Sequence, residues 1–239
     1  MSAAITVGLL AGCATTTEKP GFDVLSTRRP TEPLPADAVY PATGGDWIYL
    51  VTAGAGAGER LAHRREESGL YDATWSDREA DRRSEYWRLD EAGNIVMPAI
   101  IDHDDHAITF FDPPLISAYS RLEPGRQYEQ AFSMRVMDER RPQRQRDLGT
   151  GTQTIVYVDD QVLKTPLGRL ATKRVTVRFT ANLKMADAET ITTLSIVPGV
   201  GAVVVKRRET VRLMGVLIRN RNQTLVLTAS PVPLPEPPP

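Results

Sequence analysis

One cysteine and three histidines in 239 residues leave no material for a disulfide framework or a cysteine-rich zinc site. No charge of one sign dominates either, since 29 Lys and Arg face 30 Asp and Glu. Nucleic-acid binders carry a basic surplus that displaces counterions from phosphates, so that class of partner is not expected. No apolar run approaches the roughly 20 residues that a spanning helix needs. There is no G-x-S-x-G elbow and no Walker lysine, and "TAGAGAGE" at 52–59 has glycines at 54, 56 and 58, the wrong spacing for a phosphate cradle. Hydrolase and nucleotide chemistry therefore lack their anchors, and no cofactor is expected. What is present is an apolar share of 41%, enough for a packed core in a chain of this length.

The single thiol, Cys13, ends a short stretch of small and apolar residues, "AAITVGLL" at 3–10, and polar "ATTTEKPG" follows it. A buried free cysteine would need apolar neighbours on both sides. Leu10-Ala11-Gly12-Cys13 resembles the bacterial lipobox, in which small residues precede a cysteine that becomes the acylated first residue. The resemblance implies a signal peptide over 1–12 and a Cys13 carrying diacylglycerol and palmitate. Such acyl chains would hold the protein at a membrane of the bacterial cell envelope without any spanning peptide. Ala14, not Asp, after the cysteine is similar to the pattern that sorts to an outer membrane, which would leave the chain facing the periplasm.

From Cys13 to about residue 43 prolines recur and no period of two or 3.6 is sustained, so 13–43 reads as a flexible tether. The Pro-rich tail occupies 230–239. Between them, 44–229 reads as one β-rich domain. "DWIYLVT" (46–52), "AITFFD" (107–112), "QTIVYVD" (153–159), "KRVTVRFTA" (173–181), "GAVVVKRRETVRL" (201–213) and "QTLVLTA" (223–229) are rich in β-branched and aromatic residues. In "KRVTVRFTA", Val175, Val177 and Phe179 share one face and Arg174, Thr176 and Arg178 the other, the pattern of a sheet wet on one side. Turn chemistry at "DEAGN" (90–94), "EPG" (123–125), "TPLG" (165–168) and "VPGVG" (197–201) predicts antiparallel hairpins. Ser76-Asp77-Arg78-Glu79 fits a capping box and predicts a short helix, while "NLKMADAE" at 182–189 is a second helical candidate that reads better as a long hairpin loop.

The stretch from about 160 to 212, with its "TPLG" and "PGVG" turns, resembles the closing hairpins of β-rich bacterial lipoproteins to which no catalytic residue is attached. That resemblance implies a mainly β fold: a strongly curved antiparallel sheet, as a half-open barrel or a sandwich, between disordered termini. By fold alone it is similar to the periplasmic carriers of lipoproteins.

Three local constellations carry candidate chemistry. His103, Asp105 and His106, in "IIDHDDHAITFF" at 100–111, could take a divalent metal if a tight turn brought both imidazoles together; a regular strand would point them apart, and a solvated turn competes. Arg140, Arg141, Arg144 and Arg146 could meet an anionic partner such as lipid headgroups or wall acids, against the reading of a charged loop that discourages sheet pairing. Trp47, Trp75 and Trp87 offer ligand stacking or, more simply, core. The function expected is that of a membrane-anchored, non-enzymatic envelope lipoprotein whose β domain binds or scaffolds an envelope protein, a wall component or an apolar ligand. The alternatives are a periplasmic carrier with a hydrophobic hollow for lipid or lipoprotein, and a weak metal-dependent enzyme at His103 and His106.

Overall fold

A computed structural model describes residues 21–41 and 43–236. Cys13, the signal peptide and the first part of the expected tether lie outside the described residues. The chain runs through β1 (Asp23–Arg28), β2 (Leu34–Pro35), the single-turn α1 (Ala36–Val39), β3 (Gly45–Gly54), β4 (Arg60–Glu67), β5 (Trp75–Glu79), β6 (Arg83–Leu89) and β7 (Ile95–Asp102). It continues through β8 (Ala107–Ala118), β9 (Arg121–Leu122), β10 (Gln127–Asp138), β11 (Arg141–Thr165), β12 (Gly168–Leu183), β13 (Ala186–Val197), β14 (Gly201–Leu213) and β15 (Val216–Ala229).

Twelve of these strands close an antiparallel barrel in the order β10-β8-β7-β6-β5-β4-β3-β15-β14-β13-β12-β11, sealed where β10 pairs with β11. The curved antiparallel sheet expected from the sequence is therefore there, and it goes on to full closure, which removes the free edges of an open sheet. Each of the six segments read as strands lies within one of these strands. Inward residues such as Val175, Val177 and Phe179 alternate with outward Arg174 and Arg178, and Arg64, Arg78, Lys206 and Arg208 follow the same outward phase. Charged side chains thus recur on the outer face, where a membrane-spanning barrel carries an apolar band. No helix among the described residues is long and apolar enough to cross a membrane.

Close approach at one position helps the wall bend. A Cβ on Gly151 would lie 2.4 Å from the Phe132 ring and 2.3 Å from the Thr180 carbonyl, so only glycine lets β10, β11 and β12 meet there. Phe132 lies opposite Gly151 in the register and covers it.

Three local expectations are corrected. Ser76 to Glu79 are not a helix start; they form β5, paired with β4 on one side and β6 on the other. The physical reason is a period of two: Trp75, Asp77 and Glu79 share the inner face, and no apolar stripe of period 3.6 exists to hold a helix. "NLKMADAE" is no long loop, because β12 and β13 run to within two residues of each other at Lys184-Met185. Nor does a free tether extend to residue 43. β1 pairs along β11 from Asp23↔Lys164 to Arg28↔Asp160, and Arg28 meets Asp160 at 3.3 Å.

The segment after β1 plugs one end of the barrel. Leu34, Ala36, Ala38 and Val39 are buried against Trp87, Ile155, Tyr157, Val175 and Ile196. Leu34 is pinned by pairing of β2 with β9, and Gly199 donates its N–H to the Ala38 carbonyl. The opposite end carries the hairpin turns at 55–59, 80–82, 103–106, 139–140, 184–185 and 214–215. We refer to it as the mouth.

Candidate functional site

Inside the barrel lies a cavity of about 270 Å³, floored by Val39 and Tyr40 of the plug. One side of it is apolar, built by Met97, Ile100, Phe111 and Leu115 from β7 and β8 with Val177 and Phe179 from β12. The other side is charged. It comes from three consecutive strands whose inward positions face each other: His63 is opposite Glu79 and Arg65 opposite Asp77 across β4 and β5, while Asp77 is opposite Glu85 and Glu79 opposite Arg83 across β5 and β6. Arg207 of β14 completes the ring and reaches Glu79 at 3.6 Å.

Asp77 is the hub. Its Oδ1 lies 3.1 Å from His63 Nδ1, and its Oδ2 accepts from Arg65 Nε at 2.9 Å. Burial alone would raise its pKa, but His63 and Arg65 outweigh that and hold the carboxyl at about 2. Glu79 follows the same logic: burial opposes ionisation, and Arg207, His63 and Arg83 overcome it, so its pKa is lowered. Burial raises the Tyr40 and Tyr49 phenols, which stay neutral. The Tyr49 hydroxyl donates to the Ala202 carbonyl at 2.7 Å, and its ring meets His63 edge-on at 5.0 Å between centroids.

Arg65 is the unusual member. It is 6% exposed, and its guanidinium sits 4.2 Å over the Trp47 ring and 5.7 Å over that of Tyr40. Its Nη1 is buried without a hydrogen-bond partner, and so is Nε of Arg83. Buried donors are nearly always satisfied, so two orphan cationic N–H groups on residues that line one hollow are exceptions to the rule.

The predicted residues fall elsewhere, at the mouth. The turn between β7 and β8 brings His103 and His106 together on one carboxylate: His103 Nδ1 is 2.7 Å from Glu139 Oε1, and His106 Nδ1 is 3.2 Å from Glu139 Oε2. His103 Nε2 lies 3.0 Å from Ser84 Oγ, and Arg140 Nη2 donates to His106 Nε2. Burial would raise the Glu139 pKa, and hydrogen bonds from both histidines lower it. Asp105 does not join this group. It turns to Arg219, 3.3 Å away on β15. His63 lies apart in the hollow with Asp77 and Glu79. No group of three His, Cys, Asp or Glu side chains among the described residues is arranged to hold a metal ion. Of the arginine cluster, Arg146 donates to the Asp105 and His106 carbonyls, Arg141 reaches Asp138 at 3.7 Å, and Arg144 is exposed. The tryptophans are structural: Trp47 is fully buried with its Nε1 donating to the Val200 carbonyl, and Trp75 stacks on Trp87.

Sequence reasoning missed the charged wall of the hollow. The signal was there as charges two residues apart in three neighbouring segments, "HRR", "SDRE" and "RSEYW", in phase with the inward Trp75 and Trp87. Compared with family models, with curated proteins and with solved structures, the chain matches none.

Proposed function

We propose that this protein is an envelope lipoprotein, anchored through Cys13, whose barrel binds a small amphipathic molecule in its interior without transforming it. The carrying observation is the two-sided lining: six apolar side chains on one side, and on the other a closed charge network with unpaired N–H groups at Arg65 and Arg83. A purely structural interior would have been filled, because empty space in a barrel forfeits packing contacts. The ligand that fits has a head that accepts hydrogen bonds from the two arginines and a short apolar body against Ile100, Phe111 and Phe179. A hollow of about 270 Å³ lies just under the roughly 300–1,000 Å³ of ordinary ligand pockets, which supports a short chain or single ring over a whole lipid or an acylated protein.

Calorimetric titration with octanoate, and with 1-octanol as its uncharged counterpart, tests the reading. Octanoate should bind with one site per chain, and Val177→Phe, which fills the hollow and leaves the charged wall intact, should abolish it. Arg83→Ala should weaken octanoate more than octanol. Absence of binding by both probes, or unchanged binding in Val177→Phe, would end the interior-site reading. The anchor is tested apart from it: mass spectrometry of the mature amino terminus should find acyl chains on Cys13, and Cys13→Ser, which lacks the thiol, should carry none.

A further inference from the structure

The β14–β15 hairpin ends in an apolar tip that nothing in the interior explains. Leu213, Met214, Val216, Leu217 and Ile218 are all exposed, Met214 at 78% and Val216 at 66%, and exposed Met185 of the β12–β13 turn stands beside them. The Met214 N–H donates to the Met185 carbonyl at 2.8 Å, which joins the two turns into one patch. Monomeric proteins rarely show so many large side chains to water in one place, and such patches mark contact sites. The tip also stands clear of its neighbour strand. β3 pairs with β15 only as far as Gly54↔Gln223, so Val216 to Arg221 run on beyond it.

Three observations choose between lipid and protein as the occupant. Val216 pairs with Leu213 and Leu217 with Arg212, so these two apolar residues lie on opposite faces of the ribbon, and Ile218 is the extra residue of a bulge beside them. A docking protein covers one face; a bilayer surrounds both. Second, Arg212, Arg221 and Lys184 are exposed directly behind the tip, with Arg219 beside them, although Asp187 stands opposite Arg212 and Glu209 meets Arg219. Apolar residues at a point with cations one step back match the acyl boundary and the anionic headgroups of a lipid surface. Third, Gly21 lies against Thr52, two residues from the mouth end of β3, and the eight residues from Ala14 to Gly21 span at most roughly 28 Å. An acylated Cys13 and the hairpin tip can thus reach the same bilayer.

We propose that the β14–β15 tip inserts into the surface of an anionic lipid bilayer and holds the barrel mouth at the membrane. This inference does not depend on the interior ligand, and its test removes the lipid anchor so that the two membrane attachments are read apart. Full-length Cys13→Ser is mixed with vesicles of equimolar phosphatidylcholine and phosphatidylglycerol, then sedimented. It should bind, and triple replacement of Val216, Leu217 and Ile218 by Ser in the same background should lower the bound fraction by about ten-fold or more, while circular dichroism stays that of the parent. Any residual contribution of residues 3–10 is common to both chains and cancels. In Cys13→Ser carrying Met214→Trp, the added fluorescence should shift to the blue with vesicles and be quenched by lipids brominated in their acyl chains. No Trp shift, or equal sedimentation of the two chains, overturns the proposal. So does a dimer in sedimentation velocity that the triple replacement dissolves, since a second copy would then be what covers the tip.

Discussion

Arg65 and Asp77 are each more than nine-tenths buried, and each would be costly to leave without the other. Replacing Asp77 by Asn removes the charge that both Arg65 and His63 face. The unfolding free energy should fall by about 3–5 kcal/mol in urea titrations, the range for orphaning a buried ion. The exposed Arg64–Asp46 pair has comparable geometry at 2.9 Å, yet Asp46→Asn should hardly move the midpoint, because water competes for both groups. The Asp77 carboxyl also sets a pH dependence. Its pKa falls from 3.8 unfolded to about 2 folded, so its contribution is fully present above pH 4 and is lost as pH falls through 2. The loss should amount to about 2 kcal/mol and should be missing in Asp77→Asn, which denaturant midpoints taken between pH 5 and pH 2 will show.

Strands were legible because alternation and turn chemistry are local, and the turns at 90–94, 165–168 and 197–201 are where Gly and Pro placed them. β5 was not, because S-x-x-E satisfies a helix cap as well as a strand with an inward acid. What decides is Arg65 and His63 on the neighbouring strand, which no window around Ser76 contains. The plug was hidden for a similar reason: Leu34 and Val39 look isolated among prolines, and only closure of the barrel creates the hole they fill. At the mouth, the His103–His106 turn could be read, but its carboxylate, Glu139, arrives from the next hairpin. The same end shows one element reaching across to another. Arg219 on β15 meets Asp105 in the β7–β8 turn, although β3, β4, β5 and β6 separate them around the wall. Asp105→Ala should loosen the β14–β15 arm alone. Amide exchange from 216 to 221 should quicken several-fold while that of β4 and β7 stays unchanged, since local openings draw on local contacts.

Scale changes the meaning of the hollow once the whole wall is considered. Its lining comes from strands as distant in sequence as β3 and β15, so the cavity exists only while the barrel is closed. A molecule bound there must leave before the sheet can open, and binding is therefore coupled to global unfolding and not to the motion of one loop. At a free octanoate concentration of about 100 times its dissociation constant, the native state should gain about 2.7 kcal/mol, which for a domain of this size raises Tm by roughly 5–10 °C. Val177→Phe should melt at a temperature independent of octanoate. The vesicle-contacting replacements at 216, 217 and 218 should keep the full ligand-dependent rise, because they lie outside the hollow. Scanning calorimetry of the three chains with and without octanoate separates the cases. A rise that survives in Val177→Phe would place the ligand on the surface, and loss of the rise in the tip variant would mean that arm and interior are one site.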